Sequence, residues 1–229
     1  MITVGCSVKL FVWDRTKAIP VYKFLPGTKE SFHNLTYGSS MVDELSYKFK
    51  TTPATNEHQF YRNIKESIKE LEELLNKVNP DYSFINTPFC TFSTEDFDKL
   101  PNKAKNIDMI PEYSDSGSIQ YPISIRDNPY RAGGSTISIG WTKEVSNENE
   151  AHFRVCARVA RNFTSHEFFR PKTLLERKRL LYNNANNAFR PKSYGLELRG
   201  PSARWIKTES SIKRMFFVIQ NHSYEIGIR

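Results

Sequence analysis

Only three of the 229 residues are cysteine, Cys6, Cys90 and Cys156, and no Cys-x-x-Cys or Cys–His ligand spacing links them. So odd and scattered a set argues against a disulfide framework and against a structural zinc, and leaves buried thiols as the expected role. His152 stands four residues before Cys156 on an expected helix, which is the pairing a thiol nucleophile would need. Long apolar runs are missing too. Stretches such as Met215–Ile219 fall far short of the roughly 20 residues that span a bilayer. The start, Met-Ile-Thr-Val, has neither the charged opening nor the apolar stretch of a secretion signal, so the expectation is a protein kept in the cytoplasm with no membrane partner. A phosphate-binding glycine loop, a Ser-His-Asp arrangement, internal repeats, heptads and low-complexity tails are likewise absent.

What the chain does have is positive charge, placed unevenly. Lys and Arg number 33 against 25 Asp and Glu, a net charge of +8. From Arg154 to Arg214 fifteen cations face four acids, a local balance of +11, so the remainder is slightly acidic. Such a field draws anionic partners: nucleic acid, nucleotide phosphates or acidic protein surfaces. At 38% hydrophobic content the chain can bury a full core, and a single domain over 1–229 is expected.

Residues 2–52 read as β structure. Thr3–Trp13 alternates polar and apolar, Asp14–Lys17 is a polar turn, and Ile19–Phe24 is expected to pair back as a hairpin. A helix is expected from Glu57, with Phe60, Ile64, Ile68, Leu71, Leu75 and Val78 inward, Asn56 and Gln59 as a capping pair, and Pro80 ending it. Residues at about 81–130 are rich in Pro, Asn, Asp and Ser and predict long loops over a cavity mouth, with a strand at Ile119–Ile125 and a loop or broken helix at Lys103–Asp108. The strand Ser135–Trp141 runs into polar Glu144–Glu150. A second helix is expected over Asn149–Asn162, with Ala151, Val155, Val159 and, just past its end, Phe163 inward and Arg154, Arg158 and Arg161 as a basic stripe. A third follows over Thr173–Asn183, then strands at Tyr194–Arg199 and Arg214–Gln220.

Several segments also carry a resemblance. Val4–Val12 is similar to a strand of the form G-x-D-x-E-x-F, with Ser7 and Lys9 at its two acid positions. Pro26-Gly27-Thr28-Lys29 is similar to a G-T-K turn, and Asp43–Ala54 to a D-G-x-x-x-E-F-N-x-x-P-A segment, with Lys48 on an acid position. Arg131–Gly140 resembles R-T-A-G-G-H-I-H-I-G, with Thr136 and Ser138 on the two histidine positions. Arg177–Tyr182, Ala188–Arg190 and Tyr194–Arg199, with Ser202 and Trp205 behind, resemble R-R-x-x-Y-G, A-x-x-R and Y-G-x-E-Y-R, although Asn183 replaces a glycine. In this order over nearly the whole chain, the pieces resemble the phage COOH-NH2 ligases, the amidoligase branch of the glutamine synthetase and glutamate–cysteine ligase superfamily. The resemblance implies an α+β fold: an antiparallel, curved, glutamine-synthetase-like sheet packed by helices. It also implies that Arg190 and Arg199 stand where the family contacts phosphate or substrate, that Glu197 stands on a metal-binding acid, and that Lys29 lies near the cavity.

A carboxylate–amine ligase phosphorylates its acid substrate with ATP and holds the phosphates with divalent cations, which need oxygen ligands. Strand alternation would deliver Ser7 with Lys9, and Thr136 with Ser138, as pairs into one cavity, so hydroxyls and ammonium groups arrive where ligands should. The expectation is therefore a pseudoenzyme: no catalytic residues, no metal, no cofactor, and Lys9 or Lys48 standing in for the cation beside Glu197. It would bind a macromolecular partner, a virion or host protein, in the host cytoplasm and in association with the virion. The first alternative is an active ligase with ATP and magnesium held by Glu197, Asp43, Glu44 or Glu112. The second is a nucleic-acid-binding protein using Arg154, Arg158 and Arg161, with Trp205 or Tyr182 for stacking.

Overall fold

The computed structural model describes residues 2–22, 24–107, 110–121, 123–141, 145–146, 148–163, 166–182 and 188–225. In chain order the first elements are β1 (Thr3–Trp13), β2 (Ala18–Ile19), β3 (His33–Leu35), β4 (Gly38–Asp43), β5 (Ser46–Thr51) and α1 (Glu57–Val78). Next come β6 (Ser83–Ile85), β7 (Phe89–Thr91), α2 (Thr94–Asp98), α3 (Asn102–Lys105), β8 (Glu112–Tyr113), β9 (Ile119–Gln120), β10 (Tyr130–Ala132) and β11 (Ser135–Gly140). The last are α4 (Glu150–Phe163), α5 (Leu174–Tyr182), β12 (Phe189–Lys192), β13 (Gly195–Arg199), a 3-10 turn at Ala203–Lys207 and α6 (Glu209–Glu225). The fold is mixed α and β. A large sheet runs β3-β4-β5-β1-β11-β13-β12-β8-β9, with β2 and β6 on β1, and β7 pairs with β10 apart from it. Every pairing between these strands is antiparallel. No helix among the described residues is long and apolar enough to cross a membrane.

Period-two alternation gives the sheet two chemically different faces. Val4, Cys6, Val8 and Leu10 of β1, Ile137 and Ile139 of β11, and Leu196 and Leu198 of β13 are all buried in one core. The apolar stripes of α1, α4 and α6 close over them, and Trp205 stacks on Phe60 of α1 with ring centroids 5.9 Å apart. Each such side chain contributes about 1.5–3 kcal/mol when fully buried. Trp205 also donates its indole N–H to Ser135 Oγ at 2.9 Å, so the buried polar tip is satisfied. A smaller core of Phe11, Leu45, Cys90, Phe92, Phe97 and Ala104 lies on the other face, fastening the segment from β7 to α3 over one end of β1. Burial pushes all three thiols up to about 12, and none is paired in a disulfide. Cys156 does lie 3.6 Å from His152 Nε2, but a thiol so suppressed is no nucleophile.

Several expectations need correction. Arg214–Gln220 is not a strand but the middle of α6, where Ile212, Met215, Phe216 and Ile219 are buried at helical spacing. A five-residue apolar run does not distinguish the two states, and the flanking positions decide it. The hairpin return is only β2, because Pro20 has no N–H to continue the ladder, and Val21 turns to donate to Leu45 O at 3.2 Å. In α4 the inward residues are His152, Cys156, Val159, Ala160 and Phe163, whereas Ala151 is exposed and Val155 half-buried. Val78, the last residue of α1, is exposed. Gln59 caps Thr55 N–H at 3.0 Å, while the Asn56 side chain accepts from Gln59 N–H at 2.9 Å. Among its described residues the region at about 81–130 holds four short strands and two short helices as well as loop, and of the strand expected at Ile119–Ile125 the part described as strand is Ile119–Gln120. Within Lys103–Asp108, Lys103–Lys105 belongs to α3. Asp108, Glu144 and Asn183 lie outside the described residues.

Candidate functional site

Strand register brings the residues that the sequence motifs singled out onto the polar face in adjoining rows. Lys9 of β1 is opposite Lys48 of β5. One step along, Ser7 lies between Lys50 of β5 and Thr136 of β11, and Thr136 is opposite Arg199 of β13. The next row holds Gly5 opposite Ser138, Ser138 opposite Glu197, and Glu197 opposite Arg190 of β12. The six diagnostic residues, Lys9, Lys48, Thr136, Ser138, Glu197 and Arg199, thus share one face over neighbouring strands.

A cavity of about 260 Å³ opens over the first rows, and its polar lining is Lys9, Lys29, Lys48, Lys50, Arg190 and Arg199 with Asp43, Glu44 and Glu112. Six cations therefore meet three carboxylates. A recess of about 50 Å³ continues it past Ser7, Thr136 and Arg199. Ser138 and Glu197 line a separate recess with Lys192 and Tyr194.

The expectation that Lys9 or Lys48 pairs with Glu197 is overturned. Lys9 Nζ lies 3.1 Å from Asp43 and 3.4 Å from Glu44, and Lys48 Nζ lies 3.6 Å from Asp43. Glu197 is level with Gly5, four residues along β1 from Lys9, a step of about 13 Å. It pairs instead with Lys192 at 3.6 Å. Arg199 Nε, two residues along β13 from Glu197, pairs with Glu112. Arg190 Nη2 joins the same carboxylate at 3.1 Å.

The β4–β5 turn explains the placement of the two acids. Glu44 has a left-handed backbone with φ 61°, a conformation costly for a residue with a Cβ, and Ser46 Oγ donates to Asp43 O at 2.7 Å across the turn. The half-buried Glu44 then turns its carboxylate to Lys9 at 3.4 Å and to the guanidinium of Arg131 at 3.6 Å. Arg131 is almost fully buried and donates to the carbonyls of Lys105, Asn128 and Tyr130, tying the overlying loops to the site.

Burial works against every charge here, and the partners decide the outcome. For Asp43, burial pushes the carboxyl up, but the ammonium groups of Lys9 and Lys48 outweigh it and hold the group well below the usual carboxylate range. Burial dominates at Glu44, which is raised despite Lys9, with Asp43 adding to the rise. Lys9 is opposed by burial yet held above its ordinary value by Asp43 and Glu44. Lys48 falls, through burial first and then the repulsion of Lys9 and Arg199, which Asp43 only partly offsets.

This donor set does not fit a hard divalent cation. Asp43 and Glu44 face ammonium groups and Glu112 faces two guanidinium groups. A divalent ion beside Lys9 and Lys48 would meet repulsion of several kcal/mol even at an effective dielectric of about 20. Among the described residues, no three Asp, Glu, His or Cys side chains gather as a metal site.

Lys50 and Arg131 were not singled out as site residues. Alternation from Lys48 would have pointed to Lys50, whereas nothing local marks Arg131 as buried. The basic stripe lies elsewhere. Arg154, Arg158 and Arg161 are exposed on α4, which packs on the Leu196 and Leu198 face of the sheet, opposite the cavity. Arg154 is paired with Glu150, and Arg161 donates to Asp115 O. Of the proposed stacking residues, Tyr182 lines the cavity and Trp205 is buried. Comparison with protein-family models and with curated proteins gave no match.

Proposed function

We propose that this chain is a phage amidoligase-like pseudoenzyme, its antiparallel sheet of the glutamine-synthetase kind, that works by holding an anionic ligand in the cavity without metal and without turnover. The observation that carries the reading is Lys9 Nζ at 3.1 Å from Asp43 and 3.4 Å from Glu44. An ammonium group takes the place beside the acids that a cation would need, and Lys48 reinforces it. Six cations against three carboxylates leave the cavity positive, so its complement is an anion. The α4 stripe gives a nucleic-acid reading less support, since it lies on the opposite face of the molecule.

The ligase alternative draws on one observation: Asp43, Glu44 and Glu112 line the same cavity. Each is already neutralised by a cation, which favours the pseudoenzyme. Thermal melting in EDTA with rising inorganic phosphate tests the reading. A ligand that binds only the native state raises Tm as its concentration passes its Kd. A Tm that climbs with phosphate in EDTA is the expected result. A Tm that responds only when magnesium is supplied would contradict it.

A further inference from the structure

The cavity is charged on one side and apolar on the other. Phe32, Met41, Ile110, Ile123 and Ile125 line it together with the cations. Phe32, Ile110 and Ile123 are 42%, 50% and 54% exposed, while Ile125 and Met41 are buried behind them. Single exposed apolar residues are ordinary on any surface, but here three converge on one mouth above a cationic floor. The Lys50 ammonium lies 4.6 Å from the Phe32 ring centroid, a cation–π contact that joins the two halves of the lining. An inorganic anion would satisfy the floor and leave the apolar wall wet, whereas an apolar molecule would strand the cations.

We infer that the occupant is a small organic oxyanion: a phosphate or carboxylate head on Lys48 and Arg199, joined to a compact apolar or aromatic body against Phe32, Ile110 and Ile123. This rests on the anion-binding reading above and adds the second half of the ligand. The volume of about 260 Å³ lies below the range of roughly 300–1,000 Å³ usual for drug-sized ligands, so the body is no larger than about one ring.

Calorimetry on the full chain in EDTA, with phenyl phosphate, benzoate, inorganic phosphate and phenol as probes, tests it. At least one of phenyl phosphate and benzoate is expected to bind about tenfold more tightly than inorganic phosphate, as burial of roughly 55 Å² of apolar surface provides. The tighter of the two identifies the head group, and phenol is expected to give no heat. Ile110→Ser with Ile123→Ser changes exposed positions, so the fold is retained, and it should erase the tenfold preference while leaving inorganic phosphate unchanged. Phe32→Ser, at a separate point on the mouth, should act in the same direction. Inorganic phosphate binding as tightly as both phenyl phosphate and benzoate would overturn the inference and leave the anion pocket standing. Binding of phenol alone would overturn both, as would silence from every anion.

Discussion

Lys9 is the residue on which the electrostatics of the site turn, because two buried carboxylates face its ammonium group. Lys9→Met keeps the apolar stem and leaves Asp43 and Glu44 without their main partner. Removing one member of a buried ion network costs about 3 kcal/mol. Denaturant unfolding should show that loss, and Lys9→Met combined with Asp43→Asn should lose clearly less than the two singles together, since the neighbours share one interaction. Equal and additive losses would mean that the pair is not coupled. Acid and base limbs separate the two carboxylates. Asp43 is depressed in the folded state, so its contribution is present above the ordinary Asp value of about 3.9 and is lost as pH falls below it. Glu44 is raised, so its contribution is full below about 4.3 and fades as pH rises through its folded value. Melting curves should therefore show Asp43→Asn losing less than the parent on acidification. Glu44→Gln should gain relative to the parent between pH 4 and pH 7. The reverse order would show that the network is wrongly assigned. At this scale the resemblance drew attention to Lys9 and Lys48. It did not reveal their partners, because the left-handed Glu44 that aims a carboxylate inward is a turn geometry with no glycine or asparagine to announce it.

Elements place these residues, and Gly133 shows how tightly. It links β10 to β11, donates to Pro88 O at 2.9 Å, and a Cβ there would overlap the Thr87 carbonyl oxygen and press within 3.0 Å of the Phe11 ring. Gly133→Ala is therefore expected to cost about 2 kcal/mol and weaken phosphate binding together with stability, because β11 places Thr136 opposite Arg199 of β13. Unchanged melting would mean the backbone approach is looser than drawn. Gly195, at φ 150° with its Cβ direction blocked by Ile139 O, holds the β12–β13 turn in the same way. Strong periodicity was readable: β1 and α1 lie where alternation or the three- and four-residue stripe put them, and β11 and β13 fall within the strands expected at the motif segments. Short or interrupted elements were not. Pro20 cut the first hairpin to two residues, and the apolar run Met215–Ile219 reads as a strand until Ile212 and Ser223 extend its period to a helix.

For the whole molecule, a count of charges overstates the field it creates. Much of the excess between Arg154 and Arg214 is held in place: Arg190 and Arg199 on Glu112, Arg204 on Glu176, Arg214 and Lys172 on Glu167, and Arg179 on the Gly200 carbonyl. Apart from Lys172 and Glu167, these partners are distant in sequence, so composition alone could not foresee them. The sheet sends apolar side chains to the helices and the Lys9, Lys48, Thr136 and Arg199 rows to the cavity, with the α4 arginines on the far side. The central proposal is that ammonium groups stand where a ligase would hold its metal. Calorimetric titration of the full chain with magnesium and ATP tests it most directly. No heat that a chelator removes is expected at millimolar nucleotide, whereas a binding heat that appears with magnesium and vanishes with EDTA would contradict it.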